Sequence, residues 1–139
     1  GSARGAPGNG RPYLNRLKNM AIPILKAFDC FDHDPIDQWR PDSDSEAYYS
    51  LCLHIGPPDE EGADLFYVDV ATPHAINALN LGKRMSERGI VVNPYSWENV
   101  LAVVRTILEK CAGEDWSQQS QLLAKHFSWE YENYRPYTA

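Results

Sequence analysis

Residues 53–73, LHIGPPDEEGADLFYVDVATP, read as two strands, an acidic turn and a helix start in close succession. Tyr49, Leu51, Leu53 and Ile55 alternate with Tyr48, Ser50, Cys52 and His54, which is the pattern of a strand with one buried face. Gly56, Pro57 and Pro58 stop that strand, and Asp59, Glu60 and Glu61 beside Gly62 keep the connection in water. Phe66, Val68 and Val70 then restart the alternation. Thr72 and Pro73 follow as a helix N-cap and a first-turn proline. The expectation is a hairpin that feeds a helix.

Upstream, residues 22–31 predict a first strand with Ile22, Ile24 and Lys26 on one side and Leu25, Ala27 and Asp29 on the other. Pro23 points to an edge position or a late start. Residues 32–45 hold five aspartates and two prolines, so they read as a long loop with Ile36 and Trp39 as its anchors. Loops of that length in compact domains are often functional or mobile, which makes this one a candidate contact surface.

Downstream, residues 73–84 can form a helix with Ile76, Leu79 and Asn80 or Leu81 near one face, and Gly82 is the place where it would end early. Residues 90–92 read as a short buried strand, and Ser96 can cap the next helix. Trp97, Val100, Leu101, Val104, Ile107, Leu108 and Cys111 follow helical three- and four-residue steps, so this helix must bury one face. Gly113 is placed as its stop. Asp115 can cap a further helix carrying Trp116, Gln119, Leu122, Leu123 and Phe127. Residues 128–139 fit either a short strand or a helix extension. The fold class expected is α+β, a small antiparallel sheet packed on one face by two to three helices.

The chain has 139 residues and 43% hydrophobic content, enough for one core but not two, and no apolar run reaches the roughly 20 residues of a membrane helix. Residues 1–19 carry Arg4, Arg11, Arg16 and Lys18 with no acid, and read as a tag, linker or flexible extension. Residues 20–139 read as a single domain, with Met20 as the candidate natural start. The formal net charge is −6, and setting aside those four cations leaves nine basic against nineteen acidic residues, a balance of −10. Such a surface repels phosphate backbones and steers a basic partner towards it. Cys30, Cys52 and Cys111 are odd in number and widely spaced, which favours reduced thiols over a disulfide framework or a zinc site and fits a cytoplasmic location.

No catalytic set is visible. His33, His54, His74 and His126 are scattered, and a dyad of Cys30 or Cys52 with a histidine would need a contact that sequence does not supply. Asp32, Asp34 and Asp37, and Asp59, Glu60, Glu61 and Asp64, form acidic clusters, yet neither has the ligand ladder of a calcium loop. Solvated acids and protein contact are the stronger readings of the second. Trp97 belongs to the helix stripe, whereas Trp129, Tyr131, Tyr134 and Tyr137 are divided between packing of the tail and partner contact.

The IGP strand end, the acidic glycine-containing turn, the F-x-V-x-V strand and the Thr-Pro helix start resemble the immunity protein 8 family. The similarity runs from about Leu25 to Tyr134 and takes in Ile90, Val91, Val92, Asn93, Pro94 and Tyr95 before the long helix, Asp115 with Trp116, and Trp129, Glu130 and Tyr131. Its members are encoded beside secreted polymorphic toxins, including those of contact-dependent growth inhibition, and neutralise a toxin domain by binding it. The resemblance therefore implies a bacterial, cytoplasmic, non-enzymatic toxin inhibitor without a cofactor. Its partner would be the cognate toxin C-terminal domain, with no direct contact to nucleic acid or membrane. The acidic body makes a basic nuclease toxin a natural target. Partner-binding candidates, chosen on charge and aromatic character, are Trp39, Asp42, Asp44, Glu46, Asp59, Glu60, Glu61, Asp64 and Tyr134. The alternative class is a small metal-dependent hydrolase that uses the acidic clusters.

Overall fold

Residues 20–131 are described by the computed structural model, so residues 1–19 and the aromatic candidates Tyr134 and Tyr137 lie outside the described part. The elements in chain order are β1 (Ile24–Asp29), a 3-10 turn (Ile36–Gln38), β2 (Tyr48–Gly56), β3 (Asp64–Ala71), α1 (Pro73–Ala78) and α2 (Gly82–Met85). They continue with β4 (Gly89–Val91), α3 (Trp97–Lys110), α4 (Trp116–Leu123) and β5 (Ser128–Trp129).

The three principal strands form an antiparallel sheet in the order β1-β2-β3. Beyond β3 the edge is shared: β4 runs parallel to its last residues, and β5 pairs antiparallel with Phe66 and Tyr67. The expected α+β class and the hairpin are present. Tyr49, Leu51, Leu53 and Ile55 are buried opposite Val70, Val68, Phe66 and Asp64. All of these except Asp64, which is half-buried, belong to one core with Val100, Val104 and Leu108 of α3 and Leu123 of α4. Each such aliphatic side chain contributes about 1.5–3 kcal/mol by leaving water, which is what holds α3 and α4 against this face.

Among the described residues, the opposite face is covered at one end, where Leu81 and Met85 pack with Ala71, Tyr48 and Ile76. The single helix expected over residues 73–84 is in fact two, and the break falls at Asn80 rather than at Gly82. Asn80 has φ 57°, and the Leu81 N–H reaches back to the Ile76 carbonyl at 2.8 Å. A left-handed Asn with that 6→1 bond closes the helix as a glycine would, and the buried Leu81 seals it apolarly. Thr72 occupies the N-cap position without capping. Its Oγ1 instead donates to the Ser45 carbonyl at 2.6 Å and accepts from the Ala47 N–H at 3.1 Å.

Three further expectations need correction. Residues 90–92 are not buried throughout: Ile90 and Val92 face the core while Val91 is exposed, because β4 is an edge with one covered side. Gly113 does not stop α3, which ends at Lys110; its carbonyl and N–H pair with Ala21, and a Cβ there would meet Gln118 Oε1 at 2.9 Å. The alternation assumed for β1 fails at Lys26, where a bulge shifts the pairing from Leu25–Ile55 to Ala27–His54. The extra residue sends Phe28 inward, 4.8 Å from the Trp97 ring, and turns Asp29 to the open face. The other two predicted caps are present, Ser96 Oγ accepting from Asn99 N–H at 3.0 Å and Asp115 Oδ1 from Gln118 N–H at 2.8 Å.

Candidate functional site

The loop of residues 32–45 is tied down at both ends. Buried Ile36 anchors the 3-10 turn in the core, and the Asp44 carbonyl accepts from Tyr95 N–H at 2.7 Å. Between these anchors Trp39 stacks on His33 at 4.0 Å and meets the Tyr49 and Tyr95 rings edge-on at 5.7 and 5.4 Å. The two tyrosine hydroxyls share a 2.9 Å hydrogen bond. Burial pushes both hydroxyls up from the usual phenol range, and the shared bond raises Tyr49 further while lowering Tyr95, so both stay neutral at physiological pH.

Over this aromatic floor lies a cleft of about 150 Å³ whose lining includes Asp37, Trp39, Arg40, Asp44, Tyr95 and Glu98. Ligand pockets usually span roughly 300–1,000 Å³, so the cleft is of a size to take one side chain of a partner. Three carboxylates against one guanidinium beside aromatic rings favour a cationic side chain there. Trp39 and Asp44, both singled out from the sequence, are brought together here, and Asp42 and Glu46 are exposed on the same loop. Asp37 and Glu98 were missed as contact candidates. Asp37 lies in the loop that reads as a contact surface but stands out in the sequence as part of a metal-type cluster, and Glu98 carries the signal of an acid in the first turn behind the Ser96 cap.

Asp59, Glu60 and Glu61 are exposed at the other end of β2, where the Lys26 ammonium donates to the Glu60 and Gly62 carbonyls. Nine strand residues separate the two acidic ends, roughly 27 Å at the usual rise per residue. They are therefore not one compact site. Asp64 differs from its neighbours. It is half-buried, and its Oδ2 accepts from the indole N–H groups of Trp116 and Trp129, each at 3.1 Å. Trp129 in turn stacks on Phe66 at 6.1 Å, so this part of the tail is packed on the domain.

A family model described as Immunity protein 8 matches residues 24–134, most of the chain. The chain belongs to the immunity protein 8 family. It is accordingly an immunity protein, one that binds and counteracts a cognate toxin. Neither the curated proteins nor the solved structures compared with it gave a match. Among the described residues no helix is long and apolar enough to cross a membrane.

Membership of the immunity protein 8 family suggests a protein that is not an enzyme. Among the described residues, neither acidic cluster gathers three ligand atoms. A contact absent from the sequence reading does exist on the open sheet face, where Asp29, Cys52 and His54 converge. Yet burial, with the Asp29 carboxylate adding to it, pushes the Cys52 thiol up to about 11. A nucleophilic cysteine needs the opposite shift. All three cysteines are free thiols, Cys30 and Cys111 buried and Cys52 partly so, as expected.

Proposed function

We propose that this immunity protein neutralises a basic toxin domain of the nuclease class by docking its acidic loop end over the toxin's active site or substrate approach. The observation that carries the proposal is the cleft in which Asp37, Asp44 and Glu98 surround the Trp39 and Tyr95 rings. A lysine or arginine of the toxin would enter it, with the carboxylates standing where nucleic-acid phosphates would stand. Asp42 and Glu46 extend the negative patch along the loop. Trp39, and in this proposal Tyr134, serve as aromatic anchors. Asp59, Glu60 and Glu61 act at the far rim by steering, because a contact of standard size, about 800 Å² on each partner, reaches them only at its margin. Residues 20–139 would act as one domain in the bacterial cytoplasm, where free thiols persist, within a polymorphic toxin or contact-dependent inhibition system, without binding nucleic acid itself.

Two charge-reversed proteins test this. Asp42→Lys with Asp44→Lys and Glu46→Lys should slow association with the cognate toxin domain at least about tenfold at low salt and flatten its salt dependence. Asp59→Lys with Glu60→Lys and Glu61→Lys should have a smaller effect. Stopped-flow association rates decide between the ends, with circular dichroism confirming that each variant is folded. Wild-type kinetics for the first variant would remove the loop end from the interface.

A further inference from the structure

The open face of the sheet carries a group of ligand-type side chains that the docking surface does not use. Asp29 stands directly across the β1–β2 pair from Cys52, and His54 follows Cys52 by two residues on the same face. The bulge at Lys26 creates this juxtaposition. Had the Leu25–Ile55 register continued without it, Asp29 would face Leu51 in the core, since a shift of one residue moves a side chain to the other face. The residue directly opposite His54 is Ala27, whose small side chain leaves the imidazole free to lean along the strands towards Asp29. His54 Nε2 and Asp29 Oδ2 are 2.7 Å apart, and the donor atoms of Asp29, Cys52 and His54 all lie within 4.8 Å of one another.

We propose that Asp29, Cys52 and His54 form a binding site for a zinc-class divalent cation on the open face of the sheet. The donor set is one thiol, one imidazole and one carboxylate. Tetrahedral zinc takes such ligands at about 2.0–2.3 Å, which places donor atoms roughly 3.3–3.8 Å from one another, a span these side chains reach by rotation alone. Sulfur and nitrogen donors select zinc, cobalt and copper over magnesium and calcium. Cys52 and His54 are half-buried and Asp29 is exposed, so the fourth position of the metal opens to solvent. Leu65 and Tyr67, opposite His54 and Cys52 on β3, wall the far side. Binding would release the thiol proton to solvent and leave a Cys52 thiolate on the metal.

The full chain, stripped with a chelator, is titrated with Zn²⁺ against a chromophoric competitor and separately with Co²⁺ in the spectrophotometer. One equivalent should bind in the micromolar range or tighter, and the Co²⁺ form should show a thiolate charge-transfer band in the near ultraviolet. Cys52→Ser should abolish that band. His54→Ala and Asp29→Asn should each weaken affinity by about tenfold or more. Cys30→Ser and Cys111→Ser should change neither. Absence of uptake at a hundredfold excess over the protein would overturn the site, as would binding that Cys52→Ser and His54→Ala leave intact. The readout is independent of toxin binding.

Discussion

Replacing Asp64 with alanine should destabilise the protein by about 2–4 kcal/mol. One carboxylate oxygen of Asp64 accepts from two indoles, Trp116 at the start of α4 and Trp129 in β5, each at 3.1 Å. A hydrogen bond to a charged group contributes about 1.5–3 kcal/mol, so two would give about 3–6 kcal/mol, which solvent screening at a half-buried position lowers to about 2–4 kcal/mol. The substitution removes the acceptor that joins the first residue of β3 to two elements packed around Phe66. Asp64→Asn retains an accepting oxygen without the charge and should cost about half as much. Urea denaturation followed by far-ultraviolet circular dichroism reads both. The decisive comparison is a double-mutant cycle: in a Trp116→Phe, Trp129→Phe background, which keeps aromatic bulk but has no indole N–H, Asp64→Ala should cost less than about 1 kcal/mol. An equal cost in both backgrounds would refute the indole clamp as the source. Asp64 was grouped with the contact acids on charge alone. Its replacement would lower toxin binding through unfolding, so the docking test leaves it untouched.

Thr72→Val keeps the shape of a fully buried residue but removes the hydroxyl shared by Ser45 and Ala47, so thermal unfolding should report a loss of about 1–3 kcal/mol, and a loss under about 0.5 would contradict the assigned bonds. Gly56→Ala places a Cβ 2.4 Å from the Gly62 carbonyl, whereas Gly62→Ala meets open space but must hold φ 94°. The first should therefore cost more than the second, for which about 1–2 kcal/mol is expected in chemical denaturation; the reverse order would show that the turn opens freely. Alkylation of Cys52 by iodoacetamide in chelator, followed by peptide mass spectrometry, should rise with pH towards about 11 in the folded protein and towards 9.0 in urea. Because folding favours the protonated thiol, the stability it contributes is complete below pH 9 and declines as pH rises to about 11; a coincident profile in the two states would remove that linkage.

What the sequence makes legible is local. The alternation from Tyr49 to Ile55, the stripe from Trp97 to Cys111, and the Ser96 and Asp115 caps depend on neighbours within one turn or one strand, and all are present as read. The break at Asn80 was missed because an asparagine in the left-handed region carries no mark that separates it from an asparagine in a helix. The meeting of Asp29 with Cys52 and His54 was missed for a different reason. It depends on one extra residue in β1, and strand register is a property of two segments that neither segment displays alone. The cleft was half visible. Trp39 and Asp44 stood out by type and loop position, but Glu98 comes from a helix more than fifty residues away and joins them only once α3 has packed.

The two borders of the sheet are poorly suited to recruiting another strand. On one border β1 is kinked by its bulge, and its lead-in at Ala21 is already joined to Gly113 in both directions. On the other, β3 is covered by two short segments of opposite sense instead of ending in a long straight row of amides. A protein kept ready in a cell to capture one particular partner must not polymerise with itself while it waits, and unpaired strand borders are where such self-association begins. This architecture works against that route, and its surface side chains can change without altering how the backbone is paired.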